Sequence, residues 1–317
     1  MTTTPLTGSG TVAPPRPGGS PPVTRRSRRR LRTALVPWLF LAAPLALLLV
    51  LTYYPVANMV AYSFTDWDGL DPEKTFVGLD NYVSIVTRPE IFQVFVVSLY
   101  YVGASALQLG LALYFATILS FRVRFRNLFK GILFFPYLIN GVAIGFVFLF
   151  FFRPGGTLDA VLDLLGAEGL TRQWLGDRDV INYSLAGTSV WRYTGLNFVL
   201  FLGAIQSIPG QLYEAAELDG ASRWQQFRYI IAPGIKPVIS LSVILAISGS
   251  LSVFEIPFVM TQGANGSATF VIQTVQTAFT FNRVGLASAM AVVLLLIVLL
   301  VTLVQRRLVP DEKADLS

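Results

Sequence analysis

The chain has 317 residues, of which 54% are hydrophobic and 13% charged, with a formal net charge of +6. A soluble domain carries about 25% charged residues, so the composition excludes an ordinary soluble globule. Cysteine is absent and so is histidine, which excludes disulfides, thiol nucleophiles, Cys/His zinc sites and Ser-His-Asp hydrolysis.

Residues 1–24 are rich in Pro, Gly, Ser and Thr and are expected to be disordered, because they carry too little apolar surface to fold. Residues 25–32 then supply six arginines in eight positions, a cluster that fits a positive-inside topology signal; anionic-lipid contact and an export signal are the other readings of it. From there to the C-terminus, residues 33–65, 91–121, 131–152, 193–213, 256–282 and 284–305 carry no charge. A spanning helix needs about 20 predominantly apolar residues. The pattern therefore predicts an all-α integral membrane protein with six spans, at 34–57, 92–119, 131–152, 181–206, 237–261 and 285–305. The first run is too long for the apolar core of a signal peptide and is expected to stay as an anchor.

Even span number puts both termini on one side. With that arrangement, 17 lysines and arginines lie with the tails and the 120–130 and 207–236 loops, against 6 on the opposite side. Both termini and the 207–236 loop are thus expected in the cytoplasm. The opposite loops, 58–91 and 153–180, are longer than a connection requires and suit either a solvated linker or a docking surface for an external partner. No internal repeat is evident.

The 207–236 loop has its own punctuation. Pro209 and Gly210 end the fourth span, residues 212–218 can form two helical turns, and Asp219-Gly220 is a turn signal. Ser222 with Gln225 three positions later has the form of a capping box that starts a second short helix, which Pro233-Gly234 should stop. The predicted object is a helix–turn–helix elbow. Small Ala215 and Ala216 allow another protein to approach, Glu214 offers a carboxylate, and Gly220 permits the bend. Read by chemistry alone, an ordinary amphipathic surface helix explains the loop equally well.

Two groups of polar residues fall inside predicted spans. Glu255 lies in the fifth, next to Pro257, and a carboxylate at membrane depth faces the bundle interior or water. It reads as a substrate contact, as the partner of Arg192, or as a hydrated interfacial group. Trp191, Arg192, Tyr193 and Asn197 in the fourth span suit sugar stacking and hydrogen bonding, or equally a membrane interface.

The run from Glu214-Ala215-Ala216 through Asp219-Gly220 to Ile230 and Pro233 resembles the EAA loop of bacterial ABC importer permeases. The residues around it, and those of 54–82 and 260–289, are similar to the first permease subunit of maltose-type and glycerol-phosphate-type systems; in all, the resemblance covers residues 34–305. Ala232, where the family often has Leu, and Ala264-Asn265-Gly266, in place of a common Gly-Pro, depart from the pattern. The resemblance implies a type I importer permease domain at 34–305 between a basic cytoplasmic tail at 1–33 and a second tail at 306–317. It implies ATPase coupling through Glu214, Ala215, Ala216, Asp219, Gly220, Ile230 and Pro233, and a sugar or oligosaccharide cargo, with glycerol phosphate or a polyol as the alternative. It also implies a second homologous permease, an ATPase dimer that holds ATP and magnesium, an extracytoplasmic solute-binding protein and a bacterial inner-membrane location. No nucleic-acid partner, metal or cofactor is expected on this chain. None of its four lysines stands in a phosphate-binding loop motif. An ion-coupled secondary transporter is the reading from a different class.

Overall fold

A computed structural model describes residues 37–308 apart from Leu39 and Arg122. The tail expected at 1–33 with its arginine cluster, and all of the 306–317 tail beyond Leu308, lie outside the described residues. By internal contacts the chain divides into residues 1–57 and residues 58–317. The first unit contributes most of helix α1 (Phe40–Tyr62), which is apolar and exposed along its whole length up to Ala57. Its π-helical segment, Leu49–Tyr53, ends two residues before Pro55; proline has no N–H to donate to the preceding turn, and a widened turn accommodates that loss.

The main helices of the second unit, among its described residues, are α2 (Asp80–Thr87), α3 (Pro89–Ser120), α4 (Arg126–Leu138), α5 (Gly141–Phe152), α6 (Thr157–Leu164), α7 (Ile181–Gln206), α8 (Gly210–Leu218), α9 (Arg223–Gln226), α10 (Lys236–Leu251), α11 (Glu255–Thr261), α12 (Phe270–Phe279) and α13 (Val284–Leu308). Helix α9 runs on through a π turn, Phe227–Ile231, into Ala232–Gly234. Among the described residues, four helical stretches are long and apolar enough to cross a membrane alone, and six are when each sharply bent pair counts as one passage. That count matches the expected six-span all-α membrane architecture.

Two expected spans are not single rods. The third, 131–152, is split into α4 and α5 at an angle of 98°. Pro136 stands inside α4, and Asn140 then caps α5 by accepting from Val142 N at 2.9 Å. A proline followed by a good N-cap residue breaks the ladder and restarts it in a new direction. The fifth span, 237–261, is interrupted at residues 252–254. Pro257 cannot donate to the carbonyl four residues earlier, and that carbonyl, Val253 O, instead accepts from Thr269 Oγ1 at 2.7 Å. The break therefore falls just before Glu255, which becomes the first residue of α11.

Helix α3 lies along α7 in the most extensive helix contact among the described residues. At the end of α7 near the elbow, Ala112 and Ala116 of α3 are fully buried in a cluster with Phe198, Phe201 and Leu202 of α7. Small residues four apart let helix backbones approach closely in a membrane. At the far end, Val97 and Tyr101 of α3 join Ile144 of α5, Ile181 and Leu185 of α7, and Ile256 and Met260 of α11. A third cluster ties α2, the start of α3 and α12 to Leu286, Ala289 and Met290 of α13.

Candidate functional site

Arg192 of α7 donates through Nη1 to Glu255 Oε2 at 2.9 Å. The sequence separates these residues by 63 positions; the break before Glu255 turns its carboxylate back onto α7. Gly141, the first residue of α5 after the 98° bend, lies directly against the pair, and a Cβ there would overlap both Glu255 Oε2 and Arg192 Nη1. Three chain features thus meet at one ion pair: the α4–α5 bend, the α10–α11 break and the unbroken α7.

Glu255 also lines a cleft of about 440 Å³ between α3, α7, α10 and α11. The cleft wall includes Tyr101, Ser105 and Gln108 from α3, and Ser189, Tyr193 and Asn197 from α7. Tyr101 Oη is buried without a hydrogen-bond partner in this structure. Ser250 of α10, another lining residue, donates to Tyr101 O at 3.1 Å and to Ala246 O at 2.7 Å. The surface offered to a solute is an apolar cleft with a few convergent hydroxyl and amide groups and one carboxylate, the usual make-up of a small-molecule site.

The elbow is the second candidate region. It leaves α7 at a 73° bend into α8. Helix α8 ends in a Schellman motif: Gly220 N donates to Glu217 O at 3.1 Å and Ala221 N donates to Ala216 O at 2.9 Å. Gly220 has φ +74°, a left-handed conformation that strains any side chain and fits glycine at this position. The E-A-A-x-x-x-G spacing therefore has a mechanical meaning: Ala216 and Glu217 supply the carbonyls that Gly220 and Ala221 close. Ser222 then opens α9 with a reciprocal box, its N–H donating to Gln225 Oε1 at 2.7 Å while its Oγ accepts from Gln225 N at 3.3 Å.

Glu214, Ala215, Asp219, Gly220 and Pro233 are exposed, and Ala216 and Ile230 are half-buried. Ile231 and Ile235 do the anchoring; both are buried in the cluster with Phe201 and Ile205 of α7. The π turn at Phe227–Ile231 adds a residue to the helical repeat and turns Ile231 inward rather than Ile230. Full burial of such a side chain is worth about 1.5–3 kcal/mol. Against that anchor the elbow presents Leu218 at 90% exposure, with Leu212, Trp224 and Tyr229 also exposed. Beside them lies a more polar cleft of about 530 Å³ lined by Tyr213, Glu214, Glu217, Arg223 and Gln226.

Of the residues singled out in the spans, Glu255, Tyr193 and Asn197 line the cleft, while Arg192 stands behind Glu255. Trp191 is on another face of α7, against Phe148 with ring centroids 5.2 Å apart, and is not among the lining residues. The α3 contributors Tyr101, Ser105 and Gln108 were not singled out from the sequence. Their signal was available as polar groups four and three residues apart inside the charge-free window 91–121, a spacing that shares one helix face.

The far side carries a built loop. Asn81 Nδ2 donates to Ser63 O and Thr65 O, Trp67 Nε1 donates to Asp71 O, and Gly285 N at the start of α13 donates to Trp67 O. Lys74 Nζ lies over both Tyr62 and Trp67, 4.7 Å and 4.6 Å from the ring centroids. Backbone N–H groups of Asp71 and Leu70 donate to Asp68 and hold its carboxyl below the usual aspartate range.

A family model described as binding-protein-dependent transport system inner membrane component matches residues 108–313. The chain belongs to this family. Its relatives include the probable ABC transporter permease protein YurN of Bacillus subtilis, 34% identical over 89% of this chain and 98% of that protein. The trehalose/maltose transport system permease protein MalF of Thermococcus litoralis is 32% identical, covering 88% of this chain and 95% of the relative. The arabinooligosaccharides transport system permease protein AraP of Bacillus subtilis is 31% identical over 88% and 90%. A crystal structure of a bacterial ABC transporter involved in the import of the acidic polysaccharide alginate shares the fold, with TM-score 0.76 and 22% identity over 89% of this chain and 99% of that one. The permease is thus an inner-membrane component of a binding-protein-dependent transport system.

Proposed function

We propose that this permease forms part of the path by which a sugar or oligosaccharide crosses the bacterial inner membrane, driven by ATP hydrolysis on a separate subunit. The observation that carries the reading is the joining of two regions by one helix: α7 lines the cleft that holds Glu255 and bends directly into the elbow. The carbohydrate cargo draws support from relatives whose names specify trehalose/maltose and arabinooligosaccharides, and from cleft groups that suit sugar hydroxyls.

In this reading the chain itself carries out no covalent chemistry. It pairs with a second homologous permease, and Glu214, Ala215, Ala216, Asp219, Gly220, Ile230 and Pro233 form the elbow that an ATPase dimer grips on the cytoplasmic side, the side of both termini. ATP and magnesium belong to that dimer. An extracytoplasmic binding protein delivers the sugar to the opposite face. Closure of the ATPase dimer pushes the elbow, the spans open outward, the sugar enters past Tyr193, Asn197 and Glu255, and hydrolysis restores the inward state. Of the other two span candidates, Arg192 holds Glu255 in place, and Trp191 packs outside the cleft.

The test is ATP-dependent uptake of a labelled sugar panel by the reconstituted complex, with wild-type chain or Gly220→Asp. Uptake of at least one sugar, lost in the variant while the complex still assembles in the membrane, is the expected outcome. Uptake that proceeds without ATP, or that Gly220→Asp leaves untouched, would overturn the coupling role and favour an ion-coupled carrier.

A further inference from the structure

We propose that the cleft selects uncharged, hydroxyl-rich solutes over carboxylate-bearing ones, with Glu255 as the specificity-determining residue and Arg192 as the residue that positions it. This selectivity rests on the carbohydrate reading above and narrows it to a class of sugar.

Glu255 is the one Asp, Glu, Lys or Arg among the residues lining the cleft. The ion pair it makes is neutral in sum but ordered in space. The Glu255 side chain is 41% exposed, whereas that of Arg192 is 11% exposed and absent from the cleft wall. A solute therefore meets the negative end first. Gly141 lies so close behind the pair that no Cβ fits there.

A carboxylate that faces a cleft accepts charge-assisted hydrogen bonds from sugar hydroxyls. Arg192 occupies Oε2 and does not use Oε1 in that bond. A second carboxylate, brought in on the solute, meets a like charge on the cleft wall. Like-charge juxtaposition is an effective device for rejecting a wrong partner. The solute's carboxylate also loses hydration on entering and finds no lining cation in exchange. The remaining polar lining groups, among them Gln108, Ser189, Tyr193 and Asn197, are amides and hydroxyls that suit neutral sugars.

The experiment uses the reconstituted complex with one binding protein throughout, so that the binding protein's own preference cancels between variants. A panel of labelled gluco- and arabino-oligosaccharides and of uronate oligosaccharides of equal length identifies the cargo. That cargo is then compared with the same sugar oxidised at its reducing end to the aldonate, in wild type, in Glu255→Gln and in the charge-swapped double variant R192E/E255R. A neutral cargo is expected, with wild-type uptake favouring it over its aldonate by at least about tenfold. The ratio should fall toward one in Glu255→Gln and invert in the swap, which retains an ion pair and so covers the case in which the single variant does not assemble. A preferred uronate cargo, parity in wild type, or a ratio unmoved in an assembled variant overturns the selectivity and leaves the carbohydrate reading standing. Uptake of no sugar at all overturns the carbohydrate reading, and the selectivity falls with it.

Discussion

The elbow and the cleft are built in opposite ways. Every hydrogen bond that shapes the elbow, from the Schellman closure at Gly220 to the box at Ser222, joins residues at most five apart in sequence. The cleft depends on partners 63 and 149 positions apart, Arg192 with Glu255 and Ser250 with Tyr101. A locally closed element can keep its shape while it moves as a unit. A site closed by distant partners holds only as long as several helices keep their relative places. Variants should therefore separate the two: damage to the elbow is expected to remove transport with little loss of stability, and damage at the ion pair to reduce stability first.

The largest transport effect is expected at Gly220. A β-branched residue is poorly tolerated at φ +74°, so Gly220→Val should abolish ATP-dependent uptake while the unfolding temperature of the complex stays near that of wild type. A large drop in unfolding temperature would show that the elbow is not the independent unit described. The largest stability effect should come from Arg192→Met, which strips a half-exposed carboxylate of its charged partner at a cost of about 1.5–3 kcal/mol. Adding Glu255→Gln should recover much of that loss in unfolding measurements, because the unpaired charge rather than the missing bond dominates it. Gly141→Ala forces the pair apart and should cost about 1–3 kcal/mol as an overpacking substitution; an unchanged stability would mean that the bend relaxes freely.

Smaller effects test the supporting structure. Thr269 both caps α12, accepting from Ile272 N, and donates to the Val253 carbonyl released by Pro257. Thr269→Val should cost about 1–2 kcal/mol, read as a lower unfolding midpoint. Smallest is a pH effect at the far-side loop. The Asp68 carboxyl is held low by backbone donors, so its contribution is present above the ordinary aspartate value of about 3.9 and is lost as pH falls through the lowered folded value. Trp67, bonded to Asp71 O in the same turn, should report the opening as a fluorescence change in that acid range and none near neutrality.

The same contrast explains what could be read from the chain. The six passages followed from charge spacing, and the fourth span came out with the bounds expected, 181–206, because its ends are marked by local chemistry. The Schellman glycine and the capping box were legible for the same reason: donor, acceptor and turn residue all sit within one short window. The third span hid its 98° bend, since apolar residues continue through Pro136 and Asn140 without interruption and hydropathy does not register direction. Ile231, rather than its neighbour Ile230, anchors the elbow because a π turn shifts the repeat by one residue, which periodicity at 3.6 does not anticipate. The pairing of Arg192 with Glu255 was one of three readings the sequence left open, and the cleft wall from α3 was not visible at all, because nothing local to Tyr101 or Gln108 states which helix they face.

The continuity of α7 has a further consequence. From Arg192 to Gln206 the helix is unbroken, a rod of about 21 Å at 1.5 Å per residue. Its far portion carries the guanidinium that holds Glu255, and its near end carries the bend into α8. Such a rod transmits tilt rather than absorbing it, so a force applied at the elbow becomes a lever stroke at the charge pair. In the proposed coupling, the exposure of the cleft's negative wall to solute is then governed by the tilt imposed at the elbow, one helix segment away.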